Sequence, residues 1–249
     1  MRKECLGAEG INRLSLTGNG LKVLAAVTMT VDHVGMLFLP HLLIFRYVGR
    51  IAFPIFAFMI AEGCAHSHNR LRYLRNVAIL ALLCQSVSMV ALEDLYLAVP
   101  VSFGAAILLV IVLENYKKAA IGGFVAERNG WVALFAGGVT ALWLLSRMVD
   151  IEYGFWGCML PVGASLFRMP EGAPQNMRKL DRHLTHILSM GIFLVLLAVD
   201  YGSWQWWSLL SLPLLACYNG CRGKYKMKGF FYVYYPAHML VLFGLAMLR

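Results

Sequence analysis

Apolar residues run along the chain in nine stretches, at about 21–39, 44–63, 74–92, 98–114, 131–147, 153–168, 187–200, 204–218 and 230–248. Most are roughly 16 to 20 residues long, enough for a helix rising about 1.5 Å per residue to cross about 30 Å of hydrocarbon. Lipid offers no water to backbone N–H and C=O groups, so such runs must become helices or the strands of a closed barrel. Barrel strands would be about ten residues long and alternate in polarity. That pattern is absent, and the sequence predicts an all-α, polytopic helical membrane bundle of about nine transmembrane helices. The seventh and eighth runs are short and joined by Asp200-Tyr201-Gly202-Ser203, so they also fit one span plus a re-entrant piece. Pro40, Gly122-Gly123 and the stretch from Pro170 to Pro174 punctuate the helices.

Composition supports this class. Hydrophobic residues make up 60% of the 249 positions and charged residues only 14%, against about 25% charged in ordinary globular domains. A soluble domain of this length has no interior large enough for that apolar surface. With no repeat or low-complexity tract, residues 1–249 read as one integral-membrane domain, with 1–20 as a short cytoplasmic N-terminal segment. No small-residue cleavage site follows the first run, which reads as a retained helix and not a removed signal peptide.

The net charge of +9 first suggests nucleic acid, but its distribution gives a different account. One set of alternate loops holds Arg2, Lys3, Arg13 and Lys22, then Arg70, Arg72 and Arg75, then Lys117, Lys118 and Arg128. It continues with Arg168, Arg178, Lys179 and Arg182, and ends with Arg222, Lys224, Lys226 and Lys228, making 18 of the 22 basic residues. The opposite set holds only Arg46, Arg50, Arg147 and Arg249, and collects Glu93, Asp94, Asp150, Glu152 and Asp200. Basic loops stay cytoplasmic, so the expected orientation is N-terminus inside and C-terminus outside. A nucleic-acid partner is not expected. The six cysteines (Cys5, Cys64, Cys84, Cys158, Cys217 and Cys221) show no CxxC spacing, and reduced, packed thiols without metal are expected.

An ionisable side chain at bilayer depth costs about 2.5–3.5 kcal/mol on insertion scales, so the few present point to function. Asp32 and His33 are adjacent in the first run, with His33 roughly 18 Å from its cytoplasmic start. Arg50 lies roughly 10 Å into the second run from the outer side, and the short loop between the runs makes them antiparallel neighbours. Asp32, His33 and Arg50 can therefore meet at one level. Adjacent helical residues point about 100° apart, so Asp32 and His33 cannot both face one partner. An Asp–Arg pair that only holds two helices together is the plainer alternative.

His238 falls near the midplane of the last run, as a catalytic partner or a satisfied interior histidine. Glu62 closes the second run, with His66 and His68 solvated beside it. His183 and His186 are expected in the loop before the seventh run. Trp204, Trp206 and Trp207 read as an interfacial belt, and Tyr232, Tyr234 and Tyr235 as a second belt or a stacking wall for a ligand.

Several blocks together carry a resemblance. Leu16-Thr17-Gly18-Asn19-Gly20-Leu21-Lys22 leads into Met29-x-x-Asp32-His33-x-Gly35, followed by Gly49-Arg50-Ile51-Ala52-Phe53-Pro54-Ile55-Phe56-Ala57-Phe58 and Ala61-Glu62-Gly63. Tyr153-Gly154 with Gly157, Tyr218-Asn219-Gly220 and Tyr235-Pro236-x-His238 complete the order. This pattern resembles the TraX family, named for a conjugation protein that acetylates the pilin N-terminus and similar to a wider group of membrane-embedded acyltransferases. The resemblance implies a multi-pass protein of the bacterial cytoplasmic membrane that moves acetyl from acetyl-CoA to a protein N-terminus, glycan or small molecule. It implies catalytic roles for His33, as general base or as covalent carrier of the acetyl group, and for Asp32, Arg50 and His238. Where such relatives open the fourth span with a polar stretch, this chain has Val99-Pro100-Val101-Ser102-Phe103, which bears on the acceptor. Two other classes compete: a proton-coupled permease using Asp32, His33 and Arg50 as a relay, and a non-catalytic subunit of a conjugation or secretion apparatus. The permease predicts inverted repeats with broken helices in matching halves, which the sequence does not show.

Overall fold

The computed structural model describes residues 15–92, 96–225 and 227–248. Arg2, Lys3, Cys5, Arg13, Glu93, Asp94, Lys226 and Arg249, which entered the charge and cysteine arguments, lie outside the described residues. The elements in order are α1 (Gly18–Phe38), α2 (Leu43–Gly49), α3 (Ala52–His66), α4 (Arg70–Leu92), β1 (Tyr96–Leu97), α5 (Val99–Gly122) and α6 (Val125–Met148). There follow β2 (Asp150–Ile151), α7 (Gly154–Ser165), α8 (Gln175–Arg178), α9 (His183–Tyr201), a 3₁₀ segment (Ser203–Leu210), α10 (Ser211–Ala216) and α11 (Lys228–Met247). Among the described residues the regular structure is helical apart from the two-residue parallel pairing of β1 with β2 and an isolated parallel bridge between Leu16 and Tyr218.

Among the described residues six helices are long and apolar enough to cross a membrane: α1, α2 and α3 taken as one stretch (Leu43–His66), α5, α6, α9 and α11 (Gly229–Met247). The three remaining apolar runs are helical but fall short for different reasons. α4 has the length, but Arg70, Arg72 and Arg75 occupy its first two turns. α7 has 12 residues, about 18 Å of rise. The eighth run forms eight 3₁₀ residues and six α-helical ones, and the steeper rise of about 2 Å per 3₁₀ residue carries it about 25 Å in all. Gly202 makes the turn into it with φ 87° and ψ −164°, a conformation that only glycine adopts freely.

The core gathers α1, α3, α5, α7 and α9, with Leu21, Ile55, Phe58, Ile107, Leu160, Met190 and Leu194 almost wholly enclosed. α6 buries only Leu142 and lies at the periphery. The second apolar run, continuous in its hydrophobicity, is broken at Arg50-Ile51. Pro54, third residue of α3, has no N–H to offer the carbonyl of Arg50, so the ladder fails there. Two glycines let α1 and α2 close together: a Cβ on Gly35 would run into Phe45, and one on Gly49 into the Asp32 side chain.

His183 and His186 were expected in a loop but form the first turn of α9, where His186 is buried beside Asp181 at 2.9 Å. Cys64, Cys84, Cys158 and Cys217 are free thiols. Cys221 is disulfide-bonded, against the expectation of reduced cysteines throughout. Trp204, Trp206 and Trp207 are all exposed, as an interfacial belt requires.

Candidate active site

The close approach of α1 and α2 sets the first part of the site. Asp32 is buried and accepts a hydrogen bond from Arg46 Nη1 at 3.0 Å, while Arg50 Nη2 stands 3.9 Å from its other oxygen. Arg46 and Arg50 are four residues apart and so share one face of the α2 turn. The charge pattern alone places Arg46 in an outer loop and offers Arg50 as the partner. In the structure Arg46 makes the hydrogen bond and Arg50 reaches further. Arg50 Nη1 donates to the phenol of Tyr153 at 3.4 Å, with the guanidinium 5.7 Å from that ring.

Tyr153 caps α7 in the left-handed conformation, φ 62° and ψ 12°, which costs a bulky side chain about 1–3 kcal/mol and persists only where packing enforces it. Phe53 provides that packing by stacking on Tyr153 with ring centres 3.8 Å apart, and Gly157 leaves the room for both. Glu152, the preceding residue, accepts from the Val99 amide at 3.2 Å, and burial pushes its carboxyl up to about 7.

His33 points away from the two arginines toward α11, as the 100° turn between neighbouring residues requires. Its Nδ1 lies 3.0 Å from His238 Nε2, and the two rings stack 5.1 Å apart. The protons on this pair can be assigned by following the partners. His238 Nδ1 is 3.0 Å from the Tyr234 carbonyl, which can only accept, so that nitrogen carries the hydrogen. In a neutral ring His238 Nε2 is then a lone pair, so His33 Nδ1–H donates to it. His33 Nε2 is left with the free lone pair. Tyr234 stacks on His238 at 5.3 Å and its hydroxyl meets Thr30 at 2.6 Å, fixing α11 to α1 at this level.

These groups surround an inner cavity of about 30 Å³, lined by Met29, Asp32, His33, Gly49, Ala52, Phe53, Phe56, Val99, Glu152, Tyr153 and Tyr235. Beyond it lies a vestibule of about 540 Å³, with Asn19, Lys22, Glu62, His66, His68, Tyr218 and Arg222 among its walls. Glu62 is held there by Arg168 and by the Tyr218 hydroxyl at 3.3 Å, with exposed His66 3.6 Å away. Phe56 and Tyr235 line both cavities. Of the residues singled out from sequence, Asp32 and His33 line the inner cavity, Arg50 is attached through Asp32 and Tyr153, and His238 stands behind His33. Tyr232 and Tyr235 are walls of the vestibule. Arg46 and Glu152 were missed as site residues.

The family model described as "TraX protein" matches residues 17–246. An uncharacterised protein of Rickettsia prowazekii (strain Madrid E) is 53% identical over 38 residues, 15% of this chain and 15% of that protein. A Dichelobacter nodosus protein named "Probable fimbrial assembly protein FimC, serogroup H1" is 35% identical over 69 residues, 26% of this chain and 28% of the relative. The chain thus matches less than a third of the length of either relative. No solved structure matches. The family match takes in nearly the whole chain, including α1, the break at Arg50, the Tyr153-Gly154 corner and His238, and the chain belongs to the TraX family.

Proposed function

We propose that this protein is a membrane-embedded acetyltransferase that moves the acetyl group of acetyl-CoA to an amine or hydroxyl acceptor. The observation that carries the reading is His33, which lines a small cavity beside a large, partly basic vestibule and whose pairing with His238 leaves its Nε2 a lone pair. A vestibule of about 540 Å³ falls in the range of small-molecule sites, about 300–1,000 Å³. Lys22 and Arg222 at its walls offer positive charge to the phosphates of coenzyme A.

In this mechanism His33 Nε2 removes the proton from the acceptor N–H or O–H as the heteroatom attacks the thioester carbonyl carbon. His238 Nε2 accepts from His33 Nδ1–H throughout and so holds the ring in the tautomer that leaves Nε2 free. The carbon–sulfur bond then breaks, and the leaving thiolate takes the proton from the His33 imidazolium to give free coenzyme A. Donors fixed before the reaction stabilise an oxyanion best, and Arg50 with the Tyr153 hydroxyl supplies them. Asp32 holds Arg46 and Arg50 in place and offsets their charge.

In this reading all nine apolar helical segments cross the membrane, with α4, α7 and the 3₁₀–α10 pair completing the six long apolar helices. The positive-inside distribution orients the N-terminus and the vestibule to the cytoplasm of a bacterial inner membrane. Likeness to a fimbrial assembly protein favours a protein N-terminus as acceptor. The test is acetyl-CoA turnover by purified protein in liposomes against a panel of peptide, amino-sugar and alcohol acceptors. Acetylated product that depends on His33 supports the proposal. Absence of coenzyme A binding would overturn it.

A further inference from the structure

Among the described residues, two rings line both cavities. Phe56 on α3 and Tyr235 on α11 stand edge to face, with centroids 6.5 Å apart and planes at 71°. Each ring is a wall of both the inner cavity and the vestibule. Phe56 is one turn beyond Phe53, whose stack on Tyr153 fixes that part of α3. Pro236 follows Tyr235 directly and removes one hydrogen bond from the α11 ladder, which localises any bending of α11 beside this ring.

The sizes on either side differ greatly. The inner cavity, at about 30 Å³, has room for roughly two water-sized groups, taking about 10–15 Å³ for each. A carbonyl oxygen and one methyl fill that space. Every further methylene would have to displace the walls, which are set by the Phe53–Tyr153 stack and by Asp32 packed on Gly49.

We propose that Phe56 and Tyr235 form a constriction that sets the length of the acyl chain this site transfers, admitting two carbons and excluding longer chains. This rests on the acyltransferase reading of His33 given above. A thioester arriving from the vestibule passes its carbonyl between the two rings to reach His33 Nε2, and its alkyl end must then lie in the inner cavity. A methylene that an apolar pocket cannot accommodate is worth about 10–200-fold in kcat/KM. Wild-type protein therefore prefers acetyl-CoA over butyryl-CoA by at least about 100-fold, two methylenes at the lower bound. Phe56→Ala removes a ring from the shared wall and merges the cavities.

The experiment measures kcat/KM for acetyl-, propionyl-, butyryl- and hexanoyl-CoA with wild type, Phe56→Ala and the gentler Phe56→Leu and Tyr235→Leu, in liposomes with one acceptor. The expected result is a butyryl-to-acetyl ratio raised at least about tenfold in Phe56→Ala, with smaller shifts of the same sign in the two leucine variants. Those leucine variants keep the test available if Phe56→Ala does not fold. A purely structural role would lower all chain lengths together and leave the ratio unchanged, and that result overturns the constriction alone. Equal use of acetyl- and butyryl-CoA by wild type also overturns it. Absence of turnover at every chain length in wild type overturns the acyl-transfer reading and the constriction together.

Discussion

Replacing His238 by alanine isolates the step that separates a histidine pair from a lone base. The substitution removes the acceptor 3.0 Å from His33 Nδ1 and a ring stacked on His33 at 5.1 Å. His238 is only 8% exposed, so water does not readily take its place. The His33 N–H is then left without its partner, at a cost of about 1–3 kcal/mol. The ring escapes that cost by moving its proton to Nε2, which destroys the free lone pair. At 1.4 kcal/mol per decade, recovering the productive tautomer slows acetyl transfer about 5- to 150-fold. His33→Ala deletes the base itself and is expected to lose about 10²–10⁴-fold. Because His238 acts only through His33, the double variant is no slower than His33→Ala. The assay is acetyl-CoA turnover by the four proteins in liposomes. Nitrogen-15 NMR of the histidine side chains in detergent provides a readout independent of turnover, with His33 protonated on Nδ1 in wild type. Additive losses in the double variant, or a wild-type His33 protonated on Nε2, would refute the assignment.

Three further outcomes follow from other parts of the site. Arg50→Lys keeps the charge but not the planar fork that reaches both Asp32 and Tyr153, so turnover falls at least about tenfold while the protein remains inserted; unchanged turnover would remove Arg50 from the oxyanion role. Gly49→Ala drives a Cβ into the Asp32 side chain and lowers stability by about 1–3 kcal/mol, read as an earlier thermal transition in detergent. Glu152 has its carboxyl raised by burial from 4.5 to about 7, so its contribution is fully present below about pH 4.5 and is lost as pH rises through 7. Glu152→Gln therefore matches wild type in melting temperature at pH 4.5 and exceeds it at pH 8, and the reverse order would contradict the buried placement of this carboxyl.

The costliest residues were the most legible. Asp32, His33, Arg50 and His238 stood out because an ionisable group at bilayer depth is expensive, and the same cost drove them into one region of the bundle. The nine apolar runs emerged as helices in the expected order because run length and backbone satisfaction are local properties. What escaped depends on packing between distant segments. Arg46 looked like an ordinary outer-loop charge, though its spacing of four from Arg50 already placed the two side chains on one face. Glu152 was counted among outer acidic residues because nothing local says that the corner before α7 folds inward over Val99. The left-handed Tyr153 is imposed by Phe53, about a hundred positions away. The break at Arg50 was readable in principle, since Pro54 leaves the Arg50 carbonyl without its donor. His186 sits in the first turn of α9 because the helix begins earlier than its apolar run, and a polar first turn gives periodicity arguments little to work with.

The decisive comparison is the release of free coenzyme A from acetyl-CoA by wild-type protein and by His33→Ala, both reconstituted in liposomes and both verified as folded by their thermal transitions. The predicted result is acceptor-dependent thiol release by wild type and a loss of about 10²–10⁴-fold in the variant. Equal release by the two proteins would contradict His33 as the base, and no release by wild type with any acceptor would contradict the enzyme itself.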